Sequence, residues 1–179
     1  MIKIETPRLL LREYVLDDAP SLLKLNNDAK VMRYLTDKNP ISLEEAQKIV
    51  QTLQNQYVTY GYGRWAVIEK KTGLHLGWCG LKYREDDKIR GIFTDIGYRF
   101  EHQYWGVGFA TESAKACLSY GFEVLGLQSI IGCADKGNKA SRRILEKIGL
   151  QFKTDFLLDG RPTDWLEISS DAFLRRQMI

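Results

Sequence analysis

The clearest chemistry in this chain lies in Gln103-Tyr-Trp-Gly-Val-Gly-Phe-Ala-Thr-Glu112. The segment follows a strand-like run and opens a helical one. Two glycines one residue apart let the backbone curl tightly and let a ligand approach with no Cβ in its path. The first turn of the helix presents unpaired N–H groups at the positive end of its dipole. Together these features suit an anion, phosphate or pyrophosphate. A strand-to-helix turn without a ligand would use the same glycines. Two nucleotide signatures fail on reading further. A Rossmann fingerprint needs a third glycine where Thr111 stands, and Asp135 comes late for its acidic partner. A Walker loop needs Gly-Lys-Ser/Thr, which does not occur.

Proton-transfer candidates lie nearby. His102 has the intrinsic pKa nearest neutrality, and Asp95, Glu101 and Glu167 are acids on or beside strand-like runs. Cys79, Cys117 and Cys133 are odd in number and lack metal-ligand spacing. They read as buried free thiols. With only His75 and His102 besides, no metal site is expected.

The elements that must position these groups alternate between strand and helix signals. Residues 8–14 read as a first strand, followed by short helices over 17–25 and 28–35. Ser42-Leu-Glu-Glu45 is a capping box, with Ala46, Ile49, Val50, Leu53 and Tyr57 at helical spacing behind it. Strands are expected at 64–69, 74–84 and 92–100, with possible bulges at Gly77 and Gly80 and a turn at Asp86-Asp87. A long helix over 107–125 then leads to a strand at 128–134. Residues 138–148 form a helix closed by Gly149. Strands at 152–158 and 165–169 flank an Asp159-Gly160 turn. The crossover rule sets the 128–134 strand parallel to the 92–100 strand. The fold class is therefore mixed α/β: a mostly antiparallel sheet with one parallel strand–helix–strand unit and flanking helices.

The 179 residues contain no repeat or linker, so a single domain over 1–179 is expected. At 44% hydrophobic and 27% charged, the chain is neither disordered nor a disulfide scaffold. No apolar run approaches the roughly 20 residues of a membrane span, and the N-terminus has no long apolar stretch of a secretory signal. A cytoplasmic location is expected. The net charge of +3 comes from scattered Lys and Arg, so neither nucleic acid nor membrane is an expected partner.

Gln103-Tyr104-Trp105-Gly106-Val107-Gly108 also fits Gln/Arg-x-x-Gly-x-Gly/Ala. Here the sequence resembles the GNAT superfamily of acyl-CoA-dependent N-acyltransferases, and in particular its ribosomal-protein (Rim-type) N-acetyltransferase branch. The resemblance spans nearly the whole chain. It is carried by Glu5-Thr-Pro-Arg-Leu-Leu-Leu-Arg12, Trp65-Ala-Val-Ile-Glu-Lys70, Leu76-Gly-Trp-Cys-Gly-Leu81, Asp95-Ile-Gly-Tyr98 before the glycine loop, and Asn138-Lys-Ala-Ser-Arg-Arg-Ile-Leu-Glu-Lys-Ile-Gly149.

The resemblance implies acetyl-CoA as cosubstrate, with its pyrophosphate on the amides of Tyr104, Trp105, Gly106, Val107, Gly108 and Phe109, beside Gln103. It implies that the strand through Tyr98, Arg99 and Phe100 splays from its parallel neighbour, so that the pantetheine arm pairs with free backbone groups. A bulge at Gly97 would serve this. It places Ser141 beside the thiol and Asn138 beside the pantetheine amides. It makes Asp95 the favoured base and leaves Arg142 or Arg143 for the 3′-phosphate. The acceptor is a primary amine, a small molecule or a protein N-terminus, and the enzyme a monomer or homodimer. Tyr34, Tyr60, Tyr62, Trp65 and Trp78 are possible lining for it. A CoA-binding sensor or scaffold without turnover is the alternative from another class.

Overall fold

The computed structural model describes residues 3–35, 39–86 and 91–177. Eight strands form one sheet. They are β1 (Lys3–Glu5), β2 (Leu9–Arg12), β3 (Arg64–Glu69), β4 (His75–Asp86), β5 (Gly91–Phe100), β6 (Ser129–Asp135), β7 (Gln151–Leu158) and β8 (Arg161–Ser169). Their spatial order is β1-β2-β3-β4-β5-β6-β8-β7. Every neighbouring pair is antiparallel except β5 and β6, which run parallel as expected.

Six helices complete the fold: α1 (Ala19–Asn26), α2 (Ala29–Met32), α3 (Leu43–Tyr60), α4 (Phe109–Ser119), α5 (Lys139–Ile148) and α6 (Ser170–Gln177). The capping box holds: Ser42 Oγ accepts from Glu45 N at 3.2 Å, and Glu45 Oε2 accepts from Ser42 N at 2.6 Å. Behind it Ala46, Val50, Leu53 and Tyr57 are buried, and α3 stops at Gly61 (φ 76°), where the left-handed turn favours glycine. On the far side of the sheet, α4 buries Ala114, Cys117 and Leu118. The sulfurs of Cys117 and Cys79 of β4 come to 3.6 Å.

Several expectations need correction. The helix expected over 107–125 begins only at Phe109, because Gly108 has φ 89°, and it closes in a π turn, Tyr120–Val124. The first strand ends at Arg12. β1 and α6 were not foreseen, since three alternating residues and a terminal amphipathic stretch give weak local signals. A register shift opposite the Gly77 segment falls between Val67 and Ile68, whereas Gly80 pairs in register with Arg64 and Gly97. Gly97 carries no bulge either. A Cβ there would come within 2.7 Å of Arg64 Nη2, so the glycine clears a path for an arginine across the sheet. The turn expected at Asp86-Asp87 runs outside the described residues. Among the described residues no helix is long and apolar enough to cross a membrane.

Candidate active site

The glycine loop lies between β5 and α4. Gly106 (φ 80°) and Gly108 (φ 89°) both adopt the left-handed region that glycine makes accessible. A Cβ on Gly106 would meet nothing within 4 Å, so the loop faces open space. Trp105 and Val107 flank it with exposed apolar side chains. The Trp105 indole N–H donates to Phe100 O at 2.9 Å, tying the loop back to the end of β5. This shape, with the free N–H groups of a helix start behind it, suits a pyrophosphate.

Arg8 was not singled out from sequence, yet it holds this loop. Its Nη1 donates to Val107 O at 3.1 Å, its Nε to Glu112 Oε2 at 2.6 Å, and its guanidinium lies 4.6 Å from the Phe109 ring centre. Thr6 Oγ1 also donates to Glu112, at 2.6 Å. Burial pushes the Glu112 carboxyl up, but these bonds from Thr6 and Arg8 outweigh it and hold it below the usual carboxylate range. The partners stand more than 100 residues apart, so no spacing rule could have joined them.

The slot beside the loop opens where β5 and β6 separate. Among the described residues their one paired position is Asp95 with Ile131. Past that bridge, backbone groups on the facing edge of β5 lack a strand partner and can receive an extended ligand. Tyr98 spans the gap: its hydroxyl donates to Ser141 O at 2.8 Å and lies 3.1 Å from Ser141 Oγ. Burial pushes the Tyr98 hydroxyl well above its ordinary pKa, so it stays protonated. Asn138 caps α5, its Oδ1 accepting from Ser141 N at 3.1 Å. Asn138 thus keeps its structural role as the cap of α5, and Ser141 meets Tyr98 of β5.

Asp95 lies on the opposite face of β5 from Tyr98, by strand alternation. It is buried, 6% exposed, and is not the exposed acid that a solvated strand would present. Arg64 Nη2 donates to both its oxygens, at 2.7 and 2.9 Å. Arg64 Nη1 donates to the carbonyls of Gly80 and Asp95, and Arg84 Nε approaches Asp95 to 3.7 Å. Tyr57 fixes the Arg64 backbone by donating to its carbonyl. The bare Gly97 leaves room for the Arg64 guanidinium, and the bare Gly80 lets β4 lie close to the β3 backbone at Gly63 and Arg64. Cys133 of β6 stands near this carboxylate; burial first, then the Asp95 charge, pushes its thiol to about 12.

The remaining candidates separate clearly. Arg142 is engaged by Glu146 and Asp164 and lies over Phe152, whereas Arg143 is exposed. Glu101 is buried and paired with Lys24 at 2.6 Å, and it accepts from Gln103 at 2.9 Å. His102 is exposed, edge-on to Trp105. Glu167 is half-buried on β8, in register with Ile131. Trp65 is fully buried against Tyr120 and lines no cleft. Trp78, by contrast, lies between Arg64 and Arg99 at 5.1 and 5.3 Å. Tyr62 bonds Thr94, and Tyr60 stacks on Tyr83. Among the described residues no three His, Cys, Asp or Glu side chains converge on a metal position.

Comparison with known proteins agrees with this geometry. The family model described as "Acetyltransferase (GNAT) domain" matches residues 8–151. A protein of Bacillus subtilis (strain 168) described as "Uncharacterized N-acetyltransferase YoaA" is 32% identical over 148 residues, 83% of this chain and 82% of its own. Among solved structures, RimL, a ribosomal L7/L12 α-N-protein acetyltransferase in complex with coenzyme A, superposes with TM-score 0.79 at 18% identity, over 96% of this chain and 99% of its own. Spermidine N-acetyltransferase from Vibrio cholerae, in complex with CoA and spermine, gives 0.74 at 20% identity, over 94% and 97%.

Proposed function

Because the chain belongs to the GNAT acetyltransferase family, we propose that it moves an acetyl group from acetyl-CoA directly to a primary amine within a ternary complex. The observation that carries this reading is the single β5–β6 bridge among the described residues, Asp95 with Ile131, past which β5 runs on without a parallel partner toward the glycine loop. It would act as one cytoplasmic acyltransferase domain over residues 1–179.

Acetyl-CoA, when bound, supplies an activated acyl group on a thioester. The amides of residues 106–109 hold its pyrophosphate, those of Tyr104 and Trp105 being bonded to the carbonyls of Glu101 and His102; Gln103 borders it, and exposed Arg143 meets the 3′-phosphate. Backbone groups of Tyr98 and Phe100 on the open edge of β5 align the pantetheine arm, with Asn138 reaching it from α5, while the Arg99 backbone turns toward β4. The Tyr98 amide hydrogen-bonds the thioester oxygen where negative charge develops. Holding amine and thioester side by side removes much of the barrier without a covalent enzyme intermediate.

Two protons must move. Ser141 delivers one to the departing sulfur and is reprotonated from water, while the Tyr98 hydroxyl, bonded to the Ser141 carbonyl, holds the serine in place. Asp95 accepts the other from the incoming ammonium. Arg64 uses two of the roughly four acceptor sites of this carboxylate, which leaves lone pairs for the amine.

The acceptor is a small-molecule amine or a protein N-terminus; the two solved neighbours named above act on one of each kind. A thiol-release assay with acetyl-CoA and a panel of polyamines, amino acids and N-terminal peptides tests the proposal. Thiol release that depends on the amine, with acetylated product by mass spectrometry, is the expected result. Tight CoA binding with no turnover on any amine would make the chain a CoA-responsive sensor instead.

A further inference from the structure

Arg99 is a guanidinium with neutral company. On β5 it shares a face with Asp95 and Gly97. Its Nη1 donates to Asn26 Oδ1 at the end of α1 and points at Met32 Sδ of α2, 3.7 Å away. Its third neighbour is the Trp78 ring. None of these carries a charge, and among the described residues no carboxylate pairs with it. Glu101, two positions along, is already paired with Lys24.

The rest of this face is also short of negative charge. Arg64, over the same indole, and Arg84 share the single carboxylate of Asp95. Lys82 stands opposite Asp95 in the β4–β5 register. Among the described residues Arg64, Arg84, Arg99 and Lys82 lie on the face of Asp95, whose other carboxylates are Glu101, taken by Lys24, and Glu167, two strands away on β8. Lys82 is drawn below its ordinary pKa by burial and then by Arg84 and Arg64. Burial pulls Arg99 down to about 10, opposed by Tyr14 and aided by Arg64. Charges taken out of water are normally paired. An arginine cannot relieve the cost by losing its proton near neutral pH, so an arriving oxyanion relieves it instead.

We propose that Arg99 is the anion subsite of the acceptor cleft, and that the acceptor is an amine that also carries an oxyanion, a carboxylate or a phosphate. This deepens the acetyltransferase reading and rests on it. The splay begins at Asp95, so an acceptor entering beneath α1 and α2 meets Asp95 with its ammonium and Arg99 with its anion. The guanidinium fork suits either oxyanion in a two-point contact. The same cationic floor disfavours polyamines by like-charge repulsion.

Two measurements test this. The first needs no turnover. The Arg99 Nε–H signal in the NMR spectrum of the full chain, assigned through its loss in Arg99→Gln, is titrated with butyrate, butyl phosphate and butyramide. It is expected to move with one or both anions and stay with the amide; no movement with either anion overturns the subsite. The second compares kcat/KM for linear ω-amino carboxylates and ω-aminoalkyl phosphates of increasing length with the matching amides. The anion form is expected to lead by about tenfold or more, the worth of one charge-assisted hydrogen bond. That ratio falls toward one in Arg99→Gln and is partly kept in Arg99→Lys, which also serves if the glutamine variant does not fold. The carboxylate and phosphate arms distinguish the two sources. Acetylation with no anion preference removes the subsite and leaves the transferase. An anion-induced shift with no acetylation of any amine removes the transferase reading and leaves the anion site.

Discussion

The Tyr98 hydroxyl donates to the Ser141 carbonyl at 2.8 Å and sits 3.1 Å from the Ser141 hydroxyl, joining β5 to α5 across the gap where β5 and β6 part. Because the Tyr98 proton is committed to the carbonyl, the Ser141 hydroxyl is the donor in the second contact. The contact fixes the position of the serine oxygen before any ligand arrives, and the hydroxyl proton must turn from Tyr98 toward the sulfur as the thiolate forms.

Ser141→Ala is expected to lower kcat by about tenfold to a thousandfold, since water can replace a general acid in part. Acetyl-CoA affinity should change little. Stability should change little too, because Asn138 still caps α5 through a backbone N–H. Steady-state kinetics with titration calorimetry separates the two effects. Folded protein with unaltered kcat on a good amine would remove Ser141 from the chemistry.

Gly106→Val is expected to weaken CoA binding far more than folding. The φ of 80° strains any β-branched residue, at a cost of about 1–3 kcal/mol. The new side chain meets no protein atom at its Cβ, so it projects into the space assigned to pyrophosphate. Calorimetry with CoA, alongside thermal melts, reads both quantities. Normal affinity in a folded variant would make the loop a turn and nothing more.

Asp95→Asn is expected to cost both stability and rate. Removing one partner of a buried ion pair typically costs about 3–5 kcal/mol, because the other charge stays buried and unmatched. Replacing Arg64 and Asp95 together by apolar residues should recover much of that stability but none of the activity. Denaturant melts of the three variants, compared with their kcat, test this. If the double variant regained turnover, Asp95 would be architectural only.

Glu112 sets a pH dependence. Its folded pKa lies below the unfolded one, so its stabilising effect is complete above the unfolded value of about 4.3 and lost as pH falls through the folded value. The Tm gap between wild type and Glu112→Gln should therefore be constant from neutral pH down to about 5 and close below about 4. A gap that persisted at acid pH would show that the Arg8 contact does not depend on the carboxylate charge.

Local chemistry made much of this protein legible. Ser42-Leu-Glu-Glu45 announced α3, and Asn138 and Gly149 bracketed α5, because capping needs only groups three or four residues apart. The glycine loop and the succession of strands after β1 along the chain were readable for the same reason: turn chemistry and hydrophobic period are short-range. Ser141 and Asp95 could be nominated through resemblance, but nothing within a few residues of either says what it touches.

What only tertiary structure decided is who meets whom. The bridge at Asp95 and Ile131 ends the β5–β6 pairing and sets where the slot opens. Arg64 of β3 reaches Asp95 of β5 because Gly97 leaves no Cβ in the way of its guanidinium and Gly80 lets β3 and β4 approach closely. Arg8 reaches the glycine loop from the far end of the chain through Glu112. Charge pairing depends on distance in space, which sheet order fixes and sequence separation does not encode. The unpaired charge of Arg99 belongs to the same class. A lone arginine in a strand reads as solvated until the helices above it are in place, and only the packing of α1 and α2 takes it out of water.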